Sequence, residues 1–199
     1  LKALAPDIPI IAEETGIPPY ESRKDWNRFW LVDPLDGTKE FIKRNGEFTV
    51  NIALIEDGEP VMGVVYAPAV PMLYAGQKGK GAWKIDDDGN RESIHSESPN
   101  GGKPLRVVTS RSHGSTDVQD LLAGWDIGEE VHVGSSLKLC YVAEGKADAY
   151  PRKGPTMEWD VAAGDAVYRS SGSAGPRPSP LEYNKPTLKN SSFVIGIDD

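Results

Sequence analysis

The sequence predicts a mixed α/β fold, with an α+β first half and an α/β second half. In the first half, two pairs of strand-like segments are each joined by turn residues, the pattern of antiparallel hairpins. In the second half, strand-like and helical segments alternate, as in an α/β layer. A polar stretch without periodicity, residues 86–103, separates the two patterns. We therefore predict a metal-binding half at residues 1–100 and a substrate-binding half at residues 101–199.

Two short apolar runs near the start of the chain end in acidic residues. Residues 8–12 are followed by Glu13-Glu14, and residues 29–32 are followed by Asp33 and Asp36. Short apolar runs bounded by turn residues indicate buried strands. We expect two strands that deliver carboxylates at their ends.

Two hairpins are predicted next. Residues 48–55 alternate apolar and polar side chains, and acidic turn residues precede a second run at residues 61–66. Residues 72–75 and 82–85 flank a turn rich in Gly and Lys. Both pairs are typical of antiparallel strands.

The second half contains the helical patterns. In the last helix, Ala162, Ala163 and Gly164 are small enough for close packing, and Asp160 lies in the first turn. A loop rich in Gly, Ser and Pro follows at residues 172–180. The predicted strands are residues 105–109, 131–133, 147–150 and 192–196, and the predicted helices are residues 115–123, 135–145 and 159–171.

Composition restricts the classes of function. The 199 residues are 38% hydrophobic, enough for one large domain or two small ones. A net charge of -8 disfavours binding to nucleic-acid polymers or anionic membranes. No apolar run approaches the roughly 20 residues of a transmembrane helix. The single cysteine, Cys140, excludes an internal disulfide and favours a reducing compartment, the cytoplasm. A homodimer is compatible with the sequence.

The hexapeptide at residues 33–38 carries the most chemical information. The carboxylates of Asp33 and Asp36, three positions apart around a turn, can converge on one hard cation, and the Leu35 carbonyl can join them. Gly37 allows the backbone to approach an anion, and amides at a helix that opens at Thr38 would face the same place. An ordinary turn that caps a helix is the alternative interpretation.

The other acidic residues gain meaning from this hexapeptide. Taken alone, Glu13-Glu14 is typical of a solvated strand end, and Asp160 is typical of a helix cap. Together with Asp33 and Asp36 they supply about the number of carboxylates that a two-magnesium site needs.

Three ordered motifs resemble the signature of the inositol monophosphatase superfamily, a group of metal-dependent sugar and nucleotide phosphatases. They are Glu13-Glu14, the run at residues 30–38 and the run at residues 159–164. Further runs resemble its 3'(2'),5'-bisphosphate nucleotidase branch, and the resemblance extends to about residue 171. These further runs are residues 33–42, 46–54, 110–113, 134–138 and 150–152.

The resemblance implies a fold, a reaction and a cofactor. The fold would be a layered αβαβα sandwich with the active site between the halves. The reaction would be hydrolysis of the 3'-phosphate of adenosine 3',5'-bisphosphate, and also of its sulfated relative, 3'-phosphoadenylyl sulfate, with two or three Mg²⁺ ions. It implies that Glu13, Asp33 and the Leu35 carbonyl bind one ion, and that Asp33, Asp36 and Asp160 bind a second.

The resemblance also implies roles for the remaining site residues. Thr38 would orient the attacking water, so that Thr38, Glu13 and Asp36 are the expected catalytic residues. The amides of Gly37 and Thr38 would touch the scissile phosphate, with Asp160 beside it. At residues 134–138, free amides, hydroxyls and a cation could converge on an anion. The residues expected around the nucleotide and its phosphates are Ser110, His113, Gly134, Lys138 and Arg152.

The chain departs from the family at its start. Family members carry an upstream segment with a further acidic residue, which this sequence does not supply, so we expect the chain to begin partway through a domain. An inositol monophosphatase or fructose-1,6-bisphosphatase-like enzyme, and an inactive metal-binding or interaction protein, remain alternatives. A calcium-binding module is less favoured because the sequence contains no EF-hand loop.

Overall fold

A computed structural model describes residues 1–99, 103–111 and 114–197 of the chain. In the first half, seven strands form one sheet in the order of the sequence. They are β1 (Ile10–Ala12), β2 (Arg28–Asp36), β3 (Thr49–Glu56), β4 (Glu59–Ala67), β5 (Met72–Gln77), β6 (Gly81–Ile85) and β7 (Arg91–Ile94). Two short helices accompany them, α1 (Tyr20–Arg23) and α2 (Thr38–Lys43).

The sheet confirms both predicted hairpins and adds one strand. β3 pairs antiparallel with β4, and β5 pairs antiparallel with β6. The polar stretch at residues 86–103, in which no strand was predicted, contains β7, which pairs with β6 at the edge of the sheet. Only Ile94 of this strand is buried, so its sequence carries no apolar alternation, and the pairing arises from backbone hydrogen bonds.

The second half alternates strands and helices as predicted, with shifted bounds. The strand expected at residues 147–150 begins only at Tyr150, and the one expected at residues 131–133 begins earlier, at Ile127. The strands are β8 (Leu105–Thr109), β9 (Ile127–His132), β10 (Tyr150–Arg152), β11 (Thr156–Met157), β12 (Lys189–Asn190) and β13 (Phe193–Ile195). The helices are α3 (Gly114–Leu121), α4 (Leu137–Ala143) and α5 (Glu158–Arg169).

Small residues let α5 lie directly on the first-half sheet. Gly63 and Gly76 are cross-strand neighbours on β4 and β5. A Cβ at Gly63 would lie 2.3 Å from the Ala163 carbonyl oxygen, and one at Gly76 would lie 2.6 Å from the Cα of Val167. On the helix side the contact is made by another small residue, because the Cβ of Ala166 would lie 2.7 Å from a Cβ at Gly63. This contact carries the first turn of α5, and with it Asp160, towards the sheet.

The hydrophobic core joins the two halves. One cluster of buried side chains contains Ile11, Leu31 and Ile55 of the sheet together with Leu139 of α4 and Val167 of α5. The division at about residue 100 stays a prediction. Within the described ranges, no helix is long and apolar enough to cross a membrane.

Candidate active site

Two parallel strands place the first two acidic residues side by side. β1 pairs with β2 in parallel, with Ala12 opposite Val32. Parallel strands end at the same edge of a sheet, so the next residues, Glu13 and Asp33, emerge together. Glu13 opens a 3-10 turn, whereas Asp33 is almost fully buried. β2 continues past its predicted end at residue 32, so Asp33 lies within this strand and Asp36 is its last residue. The carboxylates of Glu13 and Asp33 nevertheless come together, at the point where the pairing of β1 with β2 ends.

A β-bulge shapes the segment that follows Asp33. The register of β2 with β3 changes between Asp33 and Asp36, so β2 carries one extra residue there. The Leu35 N–H donates to Asp33 Oδ1 at 2.9 Å, which fixes the first carboxylate. Gly37 has a φ of 86°, a left-handed conformation that glycine adopts without strain, and α2 begins directly after it. The helix predicted to open at Thr38 is therefore confirmed.

The third acidic residue of the cluster, Asp160, lies in the first turn of α5. Carboxylate oxygens of Glu13, Asp33 and Asp160 all lie within 4.8 Å of one another. Asp160 Oδ2 also accepts the Met157 N–H at 2.8 Å, which caps the helix. The two interpretations of Asp160, helix cap and ligand, are thus compatible.

The acid cluster has the electrostatics of a cation site. Burial raises the pKa of Asp33 from 3.8 to about 8, with a further contribution from the nearby Asp36 carboxylate. Burial likewise raises the pKa of Asp160 to about 7, and Asp36 and Glu13 add to this shift. Carboxylates held this close resist joint ionisation unless a cation neutralises them. An all-oxygen donor set suits a hard divalent ion, so these residues fit magnesium.

Asp36 is held differently and is not part of the group of three. Its Oδ2 accepts the Ser136 N–H at 2.6 Å, and the Thr49 hydroxyl and Asn51 amide lie 3.4 Å from the same oxygen. The Ser136 hydroxyl in turn donates to Asn51 Oδ1 at 2.7 Å. Among the described residues, these hydrogen bonds all use Oδ2.

A cleft runs from these carboxylates to the second half. Lys138 lies there almost fully buried, its Nζ donating to the Ser135 carbonyl at 2.6 Å, and burial lowers its pKa to about 8. Arg152 Nε and Ser135 Oγ are buried with no hydrogen-bond partner among the described residues. Both walls of the cleft contain predicted site residues, namely Asp36, Gly37, Ser110, Gly134, Lys138, Arg152 and Asp160.

Two predicted features take a different form. The amides of Gly134 and Ser136 are not free: they donate to the carboxylates of Glu47, at 2.9 Å, and Asp36. The Thr38 hydroxyl lies 3.5 Å from the Leu35 carbonyl oxygen, and Thr38 is exposed. His113 lies outside the described residues.

Several residues that shape the site were given no role from the sequence. Glu47, Thr49 and Asn51 belong to the run at residues 46–54, which contributed to the family resemblance. The alternation of that run predicts a strand and does not show that polar side chains of β3 would support Asp36. The resemblance was the available signal, but it gave these three residues no function.

A comparison with protein families assigns this fold and acid cluster to a class of phosphatases. The model of the Inositol monophosphatase family matches residues 1–192, and the chain belongs to this metal-dependent family. The resemblance seen in the three motifs is confirmed.

Individual relatives refine the comparison. The chain is 48% identical to the 3'(2'),5'-bisphosphate nucleotidase CysQ of Shigella flexneri, over 99% of this chain and 79% of that protein. It is 47% identical to CysQ of Escherichia coli K12 with the same coverage. The crystal structure of CysQ from Bacteroides thetaiotaomicron superposes with a TM-score of 0.79 and 41% identity, covering 97% of this chain and 79% of that one. Mycobacterium tuberculosis SuhB has a TM-score of 0.69 and 28% identity, covering 88% and 71%.

Proposed function

We propose that this protein is a magnesium-dependent phosphatase that hydrolyses the 3'-phosphate of adenosine 3',5'-bisphosphate to give AMP and phosphate, and that it also acts on 3'-phosphoadenylyl sulfate. The observation that carries the proposal is the acid cluster around the buried Asp33, together with a cleft that contains two cations, the buried Lys138 and the half-buried Arg152. The relatives named as 3'(2'),5'-bisphosphate nucleotidases support the choice of substrate.

The acidic residues would hold two or three Mg²⁺ ions. Glu13, Asp33 and Asp160 supply the clustered oxygens, and Asp36 and the Leu35 carbonyl would join them as the family resemblance implies. When bound, such ions supply an activated water and charge stabilisation for in-line phosphoryl transfer. The chain's own contribution is to fix these oxygens before the substrate arrives.

The loop after β2 would orient the reacting groups. Gly37 brings the backbone close to the cleft, and the amides of Gly37 and Thr38 lie at the start of α2, where N–H groups lack helical partners. The Thr38 side chain, which is exposed beside the Leu35 carbonyl, would position the attacking water. Glu13 and Asp36 would contribute to catalysis by holding the ions.

The second half would select the second phosphate. Arg152 carries a buried Nε–H without a described partner, and a buried donor of this kind is costly unless a ligand accepts from it. Lys138 adds a second positive charge on the same wall. Ser110, His113 and Gly134 complete the proposed contacts with the nucleotide.

Release of phosphate from a panel of monoesters tests this function. The panel contains adenosine 3',5'-bisphosphate, 3'-phosphoadenylyl sulfate, adenosine 3'-monophosphate, inositol 1-phosphate and fructose 1,6-bisphosphate, each with Mg²⁺ or with a chelator. We expect the highest kcat/KM for the adenosine bisphosphate and no turnover with the chelator. Preference for inositol 1-phosphate or fructose 1,6-bisphosphate would assign the protein to a sister activity. No release from any ester would favour an inactive metal-binding protein.

We also expect the enzyme to act in the cytoplasm and to form a homodimer. Cys140 is a buried free thiol, which suits a reducing compartment. Cell fractionation tests the location, and light scattering of the purified protein tests the dimer.

A further inference from the structure

One carboxylate of the first half forms hydrogen bonds with two segments of the second half. Glu47 lies between α2 and β3, and its side chain is only 17% exposed. Its Oε2 accepts the Gly134 N–H at 2.9 Å, and its Oε1 accepts from the guanidinium of Arg111. Arg111 follows β8 and Gly134 follows β9, so one side chain joins two separate loops to the metal-binding half.

The contact is too close for any other residue at position 134. A Cβ at Gly134 would lie 2.8 Å from the Glu47 carbonyl oxygen and 2.9 Å from the Glu40 Cγ. The backbone of the second half therefore rests directly on the loop that contains Glu47. Small movements of that loop would be transmitted to residue 134.

A second carboxylate holds the same segment two residues further on. The Ser136 N–H donates to Asp36 Oδ2 at 2.6 Å. Between the two anchored amides, Ser135 adopts a φ of 52°, a strained left-handed conformation for a residue with a side chain. The Ser135 carbonyl oxygen accepts from Lys138 Nζ at 2.6 Å. The path of residues 134–136 thus determines where the Lys138 ammonium lies.

The Glu47 contacts differ from the exposed ion pairs of this protein. An exposed pair such as Glu59 with Lys78 contributes little, because water screens it and both side chains lose freedom. Glu47 is largely buried and binds a backbone amide, and a hydrogen bond to a charged acceptor is about twice as strong as a neutral one. Its loss would also leave the Gly134 N–H without its acceptor.

We propose that Glu47 is a positioning residue that sets selectivity for the second phosphate: it holds residues 134–138 against the metal-binding half and so fixes the distance between Lys138 and the acid cluster. This inference rests on the proposed function. Glu47 does not touch Glu13, Asp33 or Asp160 through any described bond, so hydrolysis of a substrate with a single phosphate should depend on it far less.

The test compares two substrates with the same scissile group, adenosine 3',5'-bisphosphate and adenosine 3'-monophosphate. We expect Glu47→Ala to lower the ratio of their kcat/KM values about tenfold, mainly through KM, since about 1.4 kcal/mol corresponds to that factor. Glu47→Gln keeps an acceptor for Gly134 and should recover the ratio to within about threefold. Glu59→Ala, which removes an exposed carboxylate from an ion pair, is the matched control and should leave the ratio unchanged.

Hydrogen exchange provides a readout independent of substrate. Amides in residues 133–138 should exchange faster in Glu47→Ala than in the parent, both loaded with Mg²⁺, and should be unaffected in Glu59→Ala. Arg111→Ala keeps the hydrogen bond between Gly134 and Glu47, and it replaces Glu47→Ala in the test if that variant does not fold. We expect Arg111→Ala to lower the ratio of the two kcat/KM values about threefold.

Three results would overturn this inference and leave the proposed function intact. In the first, the parent prefers the bisphosphate, and Glu47→Ala and Arg111→Ala keep that preference. In the second, kcat/KM falls equally for both substrates. In the third, exchange at residues 133–138 is unchanged in Glu47→Ala. A parent without any preference for the bisphosphate overturns the proposed function and this inference with it, and the parent assay alone identifies that case.

Discussion

The acid cluster and the segment at residues 134–138 face each other across the cleft but are built on opposite principles. In the cluster, Glu13, Asp33 and Asp160 crowd together, and burial, with smaller contributions from neighbouring carboxylates, raises the pKa values of Asp33 and Asp160. In the segment, the amides of residues 134 and 136 are each paired with a carboxylate. The acid cluster therefore favours the binding of a cation, whereas the segment at residues 134–138 is held by hydrogen bonds within the protein.

This difference separates chemistry from selectivity. A group of uncompensated carboxylates binds metal ions and through them any phosphate monoester. A segment anchored at the amides of residues 134 and 136 holds Lys138 at one distance, and so can distinguish substrates by the position of a second phosphate. Variants on the two sides should therefore affect different kinetic quantities.

The largest effect is expected on the acid side. Asp33→Asn keeps the hydrogen bond from the Leu35 N–H, because the amide oxygen can accept it, but removes the charge that holds the ions. We expect kcat/KM to fall by about 10³-fold or more for every substrate, with Mg²⁺ affinity reduced in calorimetry. Asp25→Asn, at an exposed acidic residue, should change neither. Full activity in Asp33→Asn would contradict the metal assignment.

A selective effect is expected across the cleft. Lys138→Ala should cost roughly 1.5–3 kcal/mol for adenosine 3',5'-bisphosphate, a loss of about 10–150-fold in kcat/KM, and little for adenosine 3'-monophosphate. Because burial lowers the Lys138 pKa to about 8, the parent's preference should also decline as the pH rises through that value. Lys43→Ala removes an exposed lysine at the end of α2 and is the control. A parent and Lys138→Ala with equal preference would exclude this role.

The acid cluster could be predicted from the sequence more fully than the contacts of residues 134–138. Asp33 and Asp36 are separated by three positions, so their convergence could be predicted from local turn geometry, and β1 and β2 end in acid by a simple pattern. The partner of Gly134 lies 87 residues earlier. No local pattern reports such a contact, because it depends on how the two halves pack.

The same reasoning explains the errors in the fold. The hairpins β3–β4 and β5–β6 were predicted because apolar alternation and turn residues are local signals. β7 was missed because its partner, β6, supplies the pairing while its own side chains are mostly exposed. Ser135 gives no sign in the sequence of its left-handed backbone, which the anchors on either side impose.

A smaller effect is expected when Mg²⁺ is replaced by Ca²⁺. Calcium prefers longer and more numerous oxygen contacts, so it should occupy the acid cluster without holding the geometry of in-line transfer. We expect turnover to fall about tenfold at saturating Ca²⁺ for both adenosine substrates, leaving their ratio unchanged, because residues 134–138 are not involved. Phosphate release in mixtures of the two ions measures this. Equal turnover with calcium would show that the tight geometry is not required.

The smallest effect concerns the stability of the metal-free protein. The pKa of Asp33 rises from 3.8 to about 8 on folding and that of Asp160 to about 7, so the folded state keeps protons that the unfolded chain releases near pH 4. The free energy of unfolding should therefore fall as the pH rises from about 4 to 8. The measurement stops at pH 8, because ionisable Lys138, with its lowered pKa, contributes with the opposite sign above that value.

Asp33→Asn removes the larger of these two contributions to the fall in the free energy of unfolding. In the presence of a chelator, urea unfolding at pH 8 should show the variant to be more stable than the parent by about 1–3 kcal/mol, and the difference should shrink towards pH 4, where the parent carboxyl is protonated. Saturating Mg²⁺ should reverse the order, because it binds the folded parent and stabilises it by mass action. Asp25→Asn should follow the parent at every pH. A variant less stable than the metal-free parent at pH 8 would mean that the Asp33 charge is compensated within the protein, and the contrast between an uncompensated cluster and a bonded segment would fail.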